Sequence, residues 1–225
     1  MKINPIPLAL ALTLAAGCSS SSYDNTAPAA STPSSSSSMS MSTPMNSSQS
    51  AALDTALRKL WADHVFWTRM YIISAVSGAG DTQQIATRLL RNQDDIGNAI
   101  APYYGAAAGQ KLAELLRQHI LIAVDVVGAA KANDQAKLTD ADRRWHDNAA
   151  DLATFLSGAN PNWPRQAVLD MLNNHLALTT KEAVDRLHGD YADDVTNFDA
   201  IFNQAMMMAD TLAQGIEKQF PGRFS

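Results

Sequence analysis

The chain has 225 residues, with 17 Lys and Arg against 22 Asp and Glu, a net charge of -5 and one cysteine. An acidic balance without a basic stripe interleaved with aromatics excludes an ordinary nucleic-acid-binding surface, and a lone cysteine excludes a fold held by disulfides. No apolar run after residue 18 approaches the length of a membrane span.

Residues 1–18 read as a short export signal. Lys2 supplies a weak positive start, and Ile6 to Ala16 is an apolar run of the right length for a signal core but too short to span a bilayer. The run ends in Ala15-Ala16-Gly17-Cys18, which resembles a bacterial lipobox, with Ala where Leu is commoner three residues before the cysteine. The resemblance implies lipidation at Cys18 and a membrane attachment through that anchor alone. Ser19 in the next position implies sorting to the outer membrane, facing the periplasm. The alternative is an ordinary cleaved signal followed by an incidental cysteine.

Residues 19–50 are rich in Ser, Thr, Pro and Ala, with Asp24 the only charge. Such a segment buries too little apolar surface to offset its ordering entropy and reads as a flexible tether, with a root-mean-square reach of roughly 30 Å. Met39, Met41 and Met45 carry thioethers that suit Cu(I); the alternative is a solvated linker.

Residues 51–225 are long enough for one domain with a core. The first helix is expected from about Ser50 to Val76, with Leu53, Leu57, Trp61, His64, Thr68, Tyr71 and Ala75 on one face. Gly78-Ala79-Gly80 ends it, and Asp81 caps a second helix carrying Ile85, Leu89, Asn92, Ile96 and Ile100. A third runs from about Ala107 to Ala132. Asn133-Asp134 breaks the pattern, and Thr139-x-x-Asp142 resembles the capping box of a fourth helix. Pro164 suits the first turn of a fifth, which ends near His188-Gly189, and a sixth spans about Ala192 to Phe220. With no strand signal, the fold class is all-α: a six-helix bundle built from three tandem helical hairpins of about 56 residues.

That period comes from two patterns in step. Leu60-Trp61-x-x-His64-Val65, Leu115-Leu116-x-x-His119-Ile120 and Met171-Leu172-x-x-His175-Leu176 place histidines 55 and 56 residues apart. Asn92-x-x-Asp95 and Asn148-x-x-Asp151 repeat at 56, and Met207-x-x-Asp210 reads as a degenerate third copy that keeps the Asp. Each His–Asp midpoint falls in or beside an expected turn. An antiparallel hairpin would therefore bring His64 level with Asp95, His119 with Asp151 and His175 with Asp210, about 24 Å from the turns.

Such a layer admits three chemistries. It can be architecture, with imidazole N–H groups donating to carboxylates and Asn amides completing the network. It can be a metal centre, three imidazoles with a carboxylate or water suiting Zn, Cu, Ni or Fe, although no His-x-x-x-His or Glu-x-x-His pair occurs. It can be two thirds of a hydrolase triad with Thr68 or Thr179, although no nucleophile elbow or phosphate-cradling loop accompanies it. Beside the layer, Trp67, Arg69, Asn92 and Asn148 are candidates to bind a small anionic ligand, Arg69 by a forked clamp unless Asp94 or another acid pairs with it. Tyr103, Tyr104 and Trp163 sit in connectors, as a docking spot or as loop anchors. Solvent access divides binding module from interaction scaffold: a water-reachable layer favours the first, a closed and mutually paired one the second.

Leu60-Trp61-x-Asp63-His64-Val65-x-Trp67-Thr68-Arg69, Arg88-Leu89-Leu90-x-Asn92-Gln93-x-Asp95-Ile96-Gly97 and Ala159-Asn160-Pro161-Asn162-Trp163-Pro164 together resemble a family of small bacterial helical proteins with no established activity. The resemblance covers residues 58–223 and implies one helical domain. Some members carry the name glycosyltransferase; here no nucleotide-binding α/β pattern and no Asp-x-Asp for a sugar nucleotide supports that activity.

Overall fold

The structure, a computed structural model, describes residues 45–224. The stretch expected as an export signal, Cys18 and the Ser-rich segment with Met39 and Met41 lie outside the described residues. Six helices follow in order: α1 (Met45–Ser77), α2 (Thr82–Tyr104), α3 (Ala106–Lys131), α4 (Gln135–Ala159), α5 (Arg165–His188) and α6 (Tyr191–Gln219), then a closing 3-10 turn, Pro221–Arg223. Among the described residues there is no strand, and no helix is long and apolar enough to cross a membrane.

The element order is as expected; two boundaries differ. Helix α1 starts at Met45, inside the stretch expected as tether, and Ser50 on it bonds Glu217 of α6. Helix α4 starts at Gln135 rather than near Thr139, because the Asp134 side chain accepts the Lys137 backbone N–H at 3.1 Å and so caps the helix four residues earlier.

Each helix packs on its neighbours in sequence and α6 returns to α1, closing a ring. The packing does not single out hairpins, since α2 lies against α3 at least as extensively as against α1. The odd helices α1, α3 and α5 also touch one another, which puts them on the inside. After each odd helix the chain turns alike. Gly78, Asn133 and Gly189 take positive φ (71°, 53° and 81°). The next N–H then bonds the carbonyl five residues back: Ala79 to Ser74, Asp134 to Ala129, Asp190 to Asp185 (2.9–3.0 Å). This left-handed C-cap satisfies otherwise orphaned carbonyls and suits Gly, with Asn the next best residue.

The opposite end is closed by aromatics. Tyr104 packs on Trp163 and Phe220, and Tyr103 on Phe220 and Phe224. The Tyr104 hydroxyl donates to Gln219 at 2.9 Å and accepts from Asn160 at 2.8 Å. Trp163 is buried, its N–H donating to the Thr211 carbonyl at 3.2 Å. These side chains anchor the connectors into the core; Trp163 offers no docking surface.

Candidate functional site: a buried histidine–amide layer

The inner position of the odd helices brings the three histidines together. The His64 and His175 ring centroids are 5.7 Å apart and those of His119 and His175 6.3 Å. All three residues are only 2–3 % exposed.

Their partners are amides rather than carboxylates. His119 Nδ1 is 3.0 Å from Asn148 Oδ1, and His175 Nδ1 is 3.1 Å from Gln204 Oε1. The amide N–H groups point the other way: Asn148 Nδ2 donates to the Leu115 carbonyl at 3.1 Å and Gln204 Nε2 to the Met171 carbonyl at 3.1 Å. With each amide oxygen thereby facing the ring, the network assigns the proton to Nδ1 in both histidines. His119 Nε2, left bare, accepts the Trp145 indole N–H at 3.2 Å. In the first copy, Asn92 Nδ2 donates to the Leu60 carbonyl at 3.0 Å in the same manner. Each amide thus ties an even helix to the carbonyl four residues before the histidine of the preceding odd helix.

The expected aspartates take other places. Asp95 is half-buried and Asp151 exposed. Asp210 pairs with Arg58 at 2.6 Å, which holds its carboxyl below the usual range. No hydrogen bond or ion pair joins any of them to His64, His119 or His175. The reason is rotational: three residues along a helix turn a side chain about 60° away from its starting direction, so where Asn92 or Asn148 points inward, Asp95 or Asp151 points out. The third repeat position is Gln204, 56 residues after Asn148, not Asp210. The His–amide midpoints then fall at Gly78, between Asn133 and Asp134, and between Gly189 and Asp190, matching the positive-φ corners. Continuing the Asn92–Asn148 interval once more was the signal that could have found Gln204.

Among the described residues, no group of three or more His, Cys, Asp or Glu side chains is placed to hold a metal ion. In His119 both ring nitrogens are already engaged, so a metal would have to displace the Trp145 N–H. Burial lowers all three imidazole pKa values: His64 well below the ordinary range, with His175 and His119 adding to the effect; His119 to about 3, with His175 adding; and His175 to about 4. At neutral pH the layer is uncharged.

Arg69 is also committed internally, though not to Asp94, which pairs instead with Arg117 at 2.8 Å. The Arg69 guanidinium makes a two-pronged contact with Asp194 (2.9 Å twice) and reaches Glu182 at 2.6 Å, both acids almost fully buried. It stacks over Phe198 at 4.7 Å, and Arg186 approaches Asp194 at 3.4 Å. This cluster ties α1, α5 and α6 near the α5–α6 corner. Burial raises the Glu182 carboxyl to about 7 against the pull of Arg69. Trp67 is half-buried with Arg88 over its ring at 5.2 Å. Neither residue presents a free clamp for an anionic ligand. Thr68 and Thr179 donate to the backbone carbonyls of their own histidines at 2.8 and 2.9 Å, which leaves them no proton to pass to an imidazole as nucleophiles. The chain matches no protein-family model, no curated protein and no solved structure.

Proposed function

We propose that this is an exported, lipid-anchored envelope protein whose helical domain acts as a non-enzymatic interaction or scaffolding module, its histidine–amide layer serving as architecture. The observation that carries this reading is closure: the imidazoles are buried, neutral and paired mainly with amides. A buried network of this kind fixes helix register, because a slip along any helix would leave several donors and acceptors unpaired. A surface for contact is offered by α6, where Tyr191, Val195 and Phe202, 38–58 % exposed, recur at helical spacing on one flank.

Elemental analysis by mass spectrometry tests it, on protein purified without chelators beside a His64→Ala, His119→Ala, His175→Ala variant. The expected result is no stoichiometric transition metal in the wild type and a marked loss of thermal stability in the variant. Near-stoichiometric metal, lost from a variant that still folds, would overturn it in favour of a metal-binding lipoprotein. The anchor has its own test. Cys18→Ala, expressed in a Gram-negative host, is expected to move the protein from the membrane fraction to the soluble fraction; unchanged membrane association would refute lipidation at Cys18.

A further inference from the structure

Helix α6 carries a heptad seam that the bundle closes along only half its length. Ala205, Ala209, Leu212 and Ile216 recur in steps of four and three and are buried. That is the spacing by which one helix seats against another. The same steps run back along α6 through Phe202, Phe198, Val195 and Tyr191. There the side chains are larger and the cover is lost: Tyr191, Val195 and Phe202 are exposed and Phe198 is half-buried. The adjoining helix extends the patch. Arg58 pairs with Asp210 and Arg69 with Asp194, so α1 and α6 run antiparallel, and Phe66, also exposed, stands level with the stretch from Phe198 to Phe202.

A contiguous exposed apolar patch marks a surface for a partner, and the charges around this one restrict what that partner is. Residues 187–217 contain no Lys or Arg. Asp190, Asp193 and Asp199 are exposed on the N-terminal half of α6 and form no ion pair among the described residues. Two cations do touch the stripe: Arg69 lies over Phe198 at 4.7 Å and Arg186 over Tyr191 at 4.8 Å. Both are turned inward, to Asp194 at 2.9 and 3.4 Å, and Arg69 also to Glu182 at 2.6 Å. The free charge at this end of α6 is therefore acidic. A second copy docked stripe to stripe would set acids against acids, and an anionic bilayer would be repelled. Residues 19–44 of the chain itself contain no Lys or Arg either.

We infer that the stripe from Tyr191 to Phe202, with Phe66 beside it, is the docking site for a basic amphipathic helix of another protein. The partner's apolar residues continue the seam that the bundle itself closes further along α6, and its Lys or Arg residues meet Asp190, Asp193 and Asp199. The inference rests on the reading of the domain as an interaction module and names the chemistry of its partner.

Two synthetic three-heptad helices test it on the intact, 15N-labelled protein. They share one leucine seam and differ only in carrying Lys or Glu on its flanks. The Lys peptide is expected to shift the amide signals of residues 191–202 and of Phe66, with an affinity that falls as salt is added. The Glu peptide is expected to bind at least about tenfold more weakly. Phe202→Ser and Val195→Ser, both at exposed sites, are each expected to keep the fold and lose most of the binding. Asp190→Asn, Asp193→Asn and Asp199→Asn together are expected to bring the two affinities level. Binding of neither peptide, equal affinities in the wild type, or shifts confined to another face would overturn the inference. So would self-association, or binding to phosphatidylglycerol vesicles, that Phe202→Ser abolishes; the occupant would then be a second copy or a membrane. The reading of the layer as architecture fails separately, by the elemental analysis.

Discussion

Acidification from pH 6.5 to 4.5 is expected to remove about 5 kcal/mol of folding stability. The three imidazoles are held neutral by burial, with folded pKa values near 3 for His119, near 4 for His175 and well below the ordinary range for His64. Their contribution is fully present above about 6.5 and is lost as pH falls towards the folded values, since the unfolded chain takes up three protons that the folded layer refuses. Glu182 works in the opposite sense. Its folded pKa is raised to about 7, so its contribution is present below the unfolded value and lost as pH rises through 7. Between about 4.5 and 6.5 the unfolded state therefore binds three extra protons and the folded state one. The net of two gives a slope of roughly 3 kcal/mol per pH unit. Against a total of about 5–15 kcal/mol for a typical domain, that loss is enough to bring the protein close to unfolding. Urea titrations followed by far-ultraviolet circular dichroism at half-unit pH intervals measure the slope. Glu182→Gln removes the opposing proton and is expected to steepen it to about 4 kcal/mol per unit. A stability flat between pH 7 and 5 would mean that the imidazoles are not held neutral.

Gly97→Ala is expected to destabilise by about 3 kcal/mol or more. Helices α2 and α3 cross where Gly97 faces Gly109: a Cβ on Gly97 would stand 2.4 Å from the Gly109 carbonyl oxygen, and one on Gly109 would stand 2.6 Å from that of Gly97. Both obstacles are backbone, so no rotamer change relieves them and the helices must part. Parting them strains the nearby Asn92–Leu60 tie and loosens the packing of Leu89 and Ile96, both almost fully buried. Gly128, on exposed α3 surface with nothing within 4 Å of its would-be Cβ, is the control. Gly128→Ala is expected to be neutral or to stabilise by about 0.5–1 kcal/mol through helix propensity. Thermal denaturation of the pair separates the effects; a Gly97→Ala protein as stable as wild type would show that the crossing is looser than described.

Much of this was legible in the chain, because it rests on local periodicity. Trp61, His64 and Thr68 lie on one apolar face whatever else the protein does, and a recurrence at 55 and 56 residues can converge only if the odd helices run alike. The partners were less legible, since they depend on rotation about the helix axis. Asn92 and Asp95 are one turn apart and equally polar, and only packing decides that the amide points inward. Following the aspartate led to Asp210, where following the asparagine leads to Gln204. The partners of Arg69, Glu182 and Asp194, lie 113 and 125 residues away, a distance over which no pattern in one sequence speaks. Nothing in the helical pattern sets Gln93 apart from an exposed polar residue; its full burial does.

The most direct test of the layer as architecture is a double-mutant cycle on His119 and Asn148, read as urea unfolding free energies at pH 7.5. His119→Leu strands the Trp145 N–H and Asn148 Oδ1, and Asn148→Leu strands His119 Nδ1–H and removes the second hydrogen bond to the Leu115 carbonyl, which keeps its helix bond. Each single change is expected to cost about 2–3 kcal/mol. The pair together is expected to cost little more than the worse single change, a coupling of at least about 1 kcal/mol. Strictly additive costs, or a His119→Leu protein more stable than wild type, would contradict the account: the histidine would then be kept at the expense of stability, as a binding site is.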